Sequence, residues 1–240
     1  MQLRLDQRMV TEGLVPSRAK AQALIAAGVV RVAGQIAAKP GARADGAIEI
    51  MGDPCPWVSR AGLKLVHALD QFALTPEGEA LDLGASTGGF TEVLLARGAV
   101  HVFAVDVGRG QLHPKVAGDA RVTNLENTNA REMPHADIGQ VDWITADLSF
   151  VSLTKVLPAA LRHAAPGAHL VALVKPQFEA GRGRIGKNGI VTDEAVHAGV
   201  LGNVSACVTE LGWSLIGQTD SPILGGDGNR EFLIAARLEA

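Results

Sequence analysis

The run Leu81-Asp82-Leu83-Gly84-Ala85-Ser86-Thr87-Gly88-Gly89-Phe90 sets a short apolar stretch ahead of a glycine-rich turn, and a helical pattern from Thr91 to Arg97 follows it. Strand, glycine turn and helix in that order let a ligand lie against bare backbone at the carboxyl edge of a sheet. This turn has neither G-x-G-x-x-G nor G-x-x-x-x-G-K-[ST] spacing, so nicotinamide and ATP chemistry lose support. An acid, Asp106, follows about 20 residues on, after Val102-Phe103-Ala104-Val105, where a carboxylate can accept both ribose hydroxyls of an adenosyl ligand. Asp82 beside the turn suits the aminoacyl end of such a ligand. S-adenosylmethionine fits this set best, with Asp82, Gly84, Ser86, Gly88, Gly89, Phe90 and Asp106 as its expected contacts. Asn129 joins them where an adenine edge would be read past a third strand; a capping or surface role explains Asn129 and Arg131 equally well.

Two more charged residues fall where chemistry at such a pocket is done. Asp147 follows Val141-Asp142-Trp143-Ile144-Thr145, and Lys175 follows His169-Leu170-Val171-Ala172-Leu173-Val174. Each therefore stands past an apolar strand, at the edge where an open α/β sheet holds its ligands. The glycine-rich stretch after Lys175 carries Arg182, Arg184 and Lys187 and predicts a mobile basic loop; an ordinary solvated loop would have the same composition.

A sheet has to hold these residues. Ala80–Leu83, Val100–Val105, Val141–Thr145, His169–Val174, Ser214–Ile216 and Glu231–Ala235 are short apolar runs that alternate with helical stretches. The pattern predicts a Rossmann-like α/β domain whose mostly parallel sheet is covered on both faces. Ahead of it, Leu3, Leu5, Met9 and Val10 make a short helical pattern broken by Gly13 and Pro16. Ser17 caps a second helix over Ala19–Ala27 that Gly28 ends, and Val29–Val32, Ile36 and Ala47–Ile50 are strand-like. These pieces predict a small α+β domain over residues 1–52, a linker rich in proline over 53–58, and the larger domain over 59–240.

Composition bounds the partners. With 47% apolar and 20% charged residues the chain can bury an ordinary core. It shows no signal-peptide pattern and no apolar run of membrane-spanning length, and its two cysteines lack metal or disulfide spacing, so a cytoplasmic location and no membrane partner are expected. The seven histidines show no ligand spacing, and no metal requirement is expected. The net charge of −3 conceals an asymmetry: residues 1–60 hold eight of the 22 basic and five of the 25 acidic residues, giving +3 against −6 for the remainder. A local positive face, not the average, is what meets phosphates.

The small domain, through Arg4-Leu5-Asp6, Ser17-Arg18-Ala19-Lys20-Ala21 and Gly28-Val29-Val30-Arg31-Val32-Ala33-Gly34, resembles the RNA-binding domain named after ribosomal protein S-four. The resemblance implies RNA contacts from its basic face, for which Arg4, Arg8, Arg18, Lys20 and Arg31 are candidates, with Arg60, Arg182 and Arg184 from the larger domain; solvation of a helix face is the alternative for Arg18 and Lys20. The larger domain is similar to FtsJ-like methyltransferases, and the whole chain to TlyA-type ribosomal RNA 2'-O-methyltransferases, also labelled the haemolysin A family. The matching motifs are Ser59-Arg60-Ala61-Gly62-Leu63-Lys64-Leu65, the cofactor turn, Thr145-Ala146-Asp147-Leu148-Ser149-Phe150, Leu173-Val174-Lys175-Pro176-Gln177-Phe178-Glu179 and Gly228-Asn229-Arg230-Glu231-Phe232-Leu233.

That resemblance implies a catalytic tetrad of Lys64, Asp147, Lys175 and Glu231 acting on ribosomal RNA or ribosomal subunits. A ribose hydroxyl is a poor nucleophile at neutral pH, whereas a sulfonium methyl is already activated, so the enzyme must orient and deprotonate. A lysine beside another cation and shielded from water has a lowered pKa and can act as base. The resemblance gives that role to Lys175, with Asp147 aligning it and Lys64 and Glu231 orienting the ribose. Other readings are a non-catalytic RNA-binding or ribosome-assembly factor, against which the intact tetrad argues, and a membrane-active haemolysin, suggested only by the family label. Among enzymes base methylation is the runner-up, discouraged by the absence of an Asn-Pro-Pro-Tyr type motif in a chain with no tyrosine.

Overall fold

The computed structural model describes residues 3–15, 17–43, 45–52, 55–133 and 138–239, without the side chains of Arg182 and Lys187. The expectations placed on Pro16, on Asp53 and Pro54 of the linker, and on the Arg182 and Lys187 side chains lie outside the described residues. The chain divides into two compact units, Met1–Pro56 and Trp57–Ala240.

In the smaller unit α1 (Leu5–Thr11) and α2 (Arg18–Ala26) pack on an antiparallel sheet of β1 (Val30–Val32), β2 (Gln35–Ile36) and β3 (Ile48–Ile50), in the order β2-β1-β3. Ser17 caps α2 by accepting the Lys20 amide at 3.2 Å, and Leu5, Met9, Leu24, Ile25 and Val30 close a small core. The order of helix, helix and small sheet is as the sequence predicts.

The larger unit begins earlier than the sequence predicts. The Val58 amide donates to Glu92 at 2.6 Å, and Trp57 lies against the bare Cα of Gly62, so both residues, expected in the linker, pack in this unit. Its elements are α3 (Ala61–Gln71), β4 (Glu79–Leu83), α4 (Gly89–Arg97), β5 (His101–Val105), α5 (Pro114–Ala117), β6 (Val122–Leu125), β7 (Val141–Ala146), α6 (Leu153–Ala160), β8 (Ala164–Val174), α7 (Pro176–Glu179), α8 (Glu194–Glu210), β9 (Trp213–Asp220) and β10 (Phe232–Leu238). The strands form one sheet, β6-β5-β4-β7-β8-β10-β9. It is parallel from β6 to β8, and β10 runs antiparallel between β8 and β9.

Both faces of this sheet are dry. Leu81, Ile144, Leu170, Ala172 and Ile234 face one core with α6 and α8, while Ala80, Trp143, Val171, Leu173 and Leu233 face another with α3 and α4. Successive side chains on a strand point to opposite faces, so two covered faces demand unbroken apolar runs. β6 is absent from those runs because Val122-Thr123-Asn124-Leu125 is an edge strand with a half-polar sequence.

Candidate active site

Strand order reverses between β4, which continues into β5 and β6, and β7, which continues into β8. In open α/β sheets ligands bind outside the carboxyl ends of the strands at such a switch point. Gly84 directly follows β4 and Asp147 directly follows β7, so the turn and the acid stand side by side. They approach so closely that a Cβ on Gly84, whose φ is +80°, would lie 2.5 Å from the Asp147 carbonyl oxygen.

The remaining glycines of the turn, expected as ligand contacts, are crowded by neighbouring elements. Gly88 and Gly89 are buried and line neither cavity at the switch point. A Cβ on Gly88, at φ +91°, would press on Leu112 and Val116, and one on Gly89 would meet Ser59 and come 3.1 Å from the Gly62 amide. They let α4 pack on its neighbours. Asp82, expected at the aminoacyl end of the ligand, likewise lines neither cavity. It is fully buried, accepting from Thr91 at 2.6 Å and Thr145 at 2.9 Å, and so ties β4 to α4 and β7. Burial pushes its carboxyl up to about 6 against the pull of the two threonine bonds.

Two cavities open at the edge. One, about 440 Å³, is lined by Asp106, Val107, Asn129, Ala130, Leu148 and Phe150 among others. The second, about 290 Å³, is lined by Arg60, Lys64, Thr87, Phe90, Lys175 and Leu224 among others. Gly84, Ser86, Asp147 and Ser149 line both, so the two spaces adjoin at the end of β7. Asp106 accepts the Ser86 amide at 2.8 Å with one oxygen and the Gly108 amide at 2.6 Å with the other, which holds its carboxylate at the wall of the larger cavity. Asn129 accepts the Arg131 amide at 3.1 Å, a local turn bond, and lines the same cavity, so both roles open on the sequence are compatible with its position.

The four residues of the expected tetrad form two ion pairs. Lys64 Nζ donates to Glu231 Oε2 at 2.5 Å, with side chains 10% and 3% exposed. Lys175 Nζ stands 2.6 Å from Asp147 Oδ1 and donates to Ser149 Oγ at 2.9 Å. Lys64, Asp147 and Lys175 line the smaller cavity, and Glu231 reaches it through Lys64. Lys64 is on α3 and Glu231 immediately precedes β10, 167 residues later.

Sequence reasoning missed several residues here. Ser149 lines both cavities, and its position two residues past the strand-end acid was the available signal. Phe150 is 91% exposed and held at φ +66° at the larger cavity. Asn229, fully buried, accepts the Val191 amide at 2.9 Å and donates to the Gly189 carbonyl at 3.0 Å. It braces the end of the glycine-rich stretch, which carries short 3-10 turns at Arg182–Arg184 and Lys187–Gly189.

The basic residues assigned to RNA are partly engaged within the protein. Arg4 and Arg18 both donate to buried Asp6, at 3.0 and 3.1 Å, and Gln22 joins them at 2.8 Å. The bond from Arg4, then that from Gln22, holds the Asp6 carboxyl well below the usual range. Arg8 donates to Glu12 at 2.5 Å and to the Gly46 carbonyl at 2.6 Å, and Lys20 donates to the Cys55 carbonyl at 3.2 Å. Arg31 and Arg184 are exposed, and Arg60 is at the smaller cavity.

Comparison with known proteins adds to this geometry. Residues 57–238 match the model of the FtsJ-like methyltransferase family, and residues 3–46 that of the S4 domain. The "16S/23S rRNA (cytidine-2'-O)-methyltransferase TlyA" of Mycobacterium tuberculosis is 47% identical over 98% of this chain and 90% of its own length. "Hemolysin A" of Brachyspira hyodysenteriae is 40% identical over 96% of this chain and 98% of its own. A solved structure of a candidate hemolysin from Streptococcus thermophilus superposes with a TM-score of 0.78 at 42% identity, covering 99% of this chain and 89% of that one. The chain therefore belongs to the FtsJ-like methyltransferases, in the TlyA group whose members carry both ribosomal RNA methyltransferase and haemolysin names.

Proposed function

We propose that this protein transfers the methyl group of S-adenosylmethionine to the 2'-hydroxyl of a cytidine in ribosomal RNA, in the cytoplasm, with Lys175 as the base. The observation that carries the reading is the meeting of two lysine–carboxylate pairs beside a cavity that adjoins a second one suited to a nucleoside. The larger cavity has the volume of a small-molecule site. Its walls offer apolar Val107, Ala130, Leu148 and Val151 for a base and the Asp106 carboxylate for ribose hydroxyls. Gly84 and Ser86 would hold the aminoacyl end. When bound, S-adenosylmethionine would supply an electrophilic methyl on a sulfonium able to leave as a neutral thioether.

The protein's own residues handle the acceptor. The partner beside Lys175 is the Asp147 carboxylate and not another cation, so Lys175 must first release a proton to solvent. As the neutral amine it then takes the proton of the ribose hydroxyl as the oxygen attacks the methyl carbon, a contribution of roughly 10²–10⁴-fold for a positioned base. Asp147 and Ser149 hold the Lys175 amine at the boundary of the two cavities. Lys64, kept in place by Glu231, orients the ribose, and Arg60 faces an adjoining phosphate. The basic face of residues 1–56, with Arg184 and Arg182, supplies contacts to the RNA backbone; these are sequence-independent and select shape over base order. The cytidine and the ribosomal substrate are carried over from the relative of Mycobacterium tuberculosis. Among the described residues no helix is long and apolar enough to cross a membrane.

Methylation of both purified ribosomal subunits by wild type and by Lys175→Ala, mapped at nucleotide resolution, tests the proposal. The expected result is a 2'-O-methylcytidine that depends on Lys175. A methyl group on a base, or full activity in Lys175→Ala, refutes it.

A further inference from the structure

Two chain segments leave adjacent strands at the switch point, Asp147–Ser152 after β7 and Lys175–Glu179 after β8. They are cross-tied twice. At the near end, the Lys175 amine is 2.6 Å from Asp147 and donates to Ser149 at 2.9 Å. Four residues further along its own segment, Glu179 reaches back across the gap. Its Oε2 accepts the Ser152 hydroxyl at 2.5 Å, and its Oε1 accepts the Leu153 amide at 2.7 Å. Burial pushes the Glu179 carboxyl up, and these two bonds oppose the shift.

Between the ties the backbone is strained. Phe150, at φ +66° and 91% exposed, gains almost nothing from burial, and its ring packs only at 5.2 Å from Phe178 of the opposite segment. A bulky side chain persists in the left-handed region only where its surroundings over-determine the conformation. Capping of α6 does not by itself require Glu179, because Ser152 already accepts the Thr154 amide at 3.3 Å as the N-cap.

We propose that Glu179 is a positioning residue for methyl transfer: it clamps the Asp147–Ser152 segment to the element bearing Lys175, so that Asp147 and Ser149 stay on the Lys175 amine. The proposal rests on Lys175 acting as the base. Losing the clamp lets the segment relax toward ordinary backbone geometry and misaligns the amine with the hydroxyl it must deprotonate.

Glu179→Ala removes both bonds. Glu179→Gln keeps an acceptor for the Leu153 amide and gives the Ser152 hydroxyl a donor instead. At saturating donor and RNA, Glu179→Ala should lower kcat by about 10- to 100-fold, and Glu179→Gln should restore it. Amide exchange over residues 148–153 should speed up in Glu179→Ala and return to the wild-type rate in Glu179→Gln. Wild-type kcat and exchange in Glu179→Ala, whatever its melting temperature, overturn the clamp, as do equal defects in both variants. Should Glu179→Ala fail to fold, Ser152→Ala breaks one tie from the other side. A several-fold loss in kcat with unchanged KM for RNA is then expected, and wild-type kcat overturns the idea. Failure of the base assignment is distinguishable, since Lys175→Ala would then be active while exchange still reports the clamp.

Discussion

Lys64 and Glu231 show at the scale of single residues how function and stability part company. Their side chains are 10% and 3% exposed, so removing either charge leaves the other uncompensated in a desolvated site. Lys64→Met should lose about 3–5 kcal/mol in denaturant unfolding, whereas replacing a buried pair with apolar residues of similar volume is often neutral. The double variant Lys64→Met/Glu231→Leu is therefore expected to regain most of that stability while remaining inactive. A double variant as unstable as the single one would show the pair to be structural. Asp82 makes a second prediction. Its folded carboxyl titrates near 6 against an ordinary 3.8, because burial outweighs the threonine bonds. Between those values the folded state keeps a proton that the unfolded chain has released, so stability falls as pH rises from about 4 to 6, by roughly 3 kcal/mol in all. Asp82→Asn should flatten this dependence in urea titrations across that window. An unchanged slope would mean that Asp82 stays ionised when buried.

At the scale of elements, the glycine turn is a packing device. Gly84 combines a φ of +80° with a backbone oxygen of Asp147 in the path of any Cβ, whereas Gly89 has ordinary φ and meets first the movable hydroxyl of Ser59. Gly84→Ala should cost about 3 kcal/mol and displace Asp147, abolishing methyl transfer; Gly89→Ala should cost less and retain part of it. Thermal melts alongside the methylation assay separate the two, and equal effects would refute the distinction. The spacing of glycines was legible in the chain. Their purpose was not, since the atoms that crowd Gly84, Gly88 and Gly89 come from Asp147, Val116 and Ser59, on other elements.

For the molecule as a whole the controlling quantity is where charge sits. The chain carries −3 overall, yet residues 1–60 carry +3. Within that basic part, buried Asp6 fixes Arg4 and Arg18 in orientation while leaving their side chains 45% and 51% exposed, so both still face solvent. RNA affinity should therefore fall steeply with salt. Reversing Arg182 and Arg184 to Glu should weaken binding and reduce the slope of log affinity against log salt by roughly one for each phosphate no longer neutralised. An unchanged slope in a salt titration would remove that stretch from the RNA-facing surface.

Local sequence determined every strand but β6, the Ser17 cap and the residues past β4, β7 and β8, because periodicity and turn chemistry act over a few residues. Asp147 and Lys175 could be placed at a ligand-binding edge on that basis alone, and the order of helix, helix and small sheet in residues 1–56 was equally plain. Tertiary structure alone decided that Lys64 meets Glu231 across 167 residues, that Asp82 is a buried tie, and that Glu179 grips Ser152. Those contacts follow from strand order and from β10 inserting beside β8, and long-range pairing of that kind leaves no periodic trace in the chain.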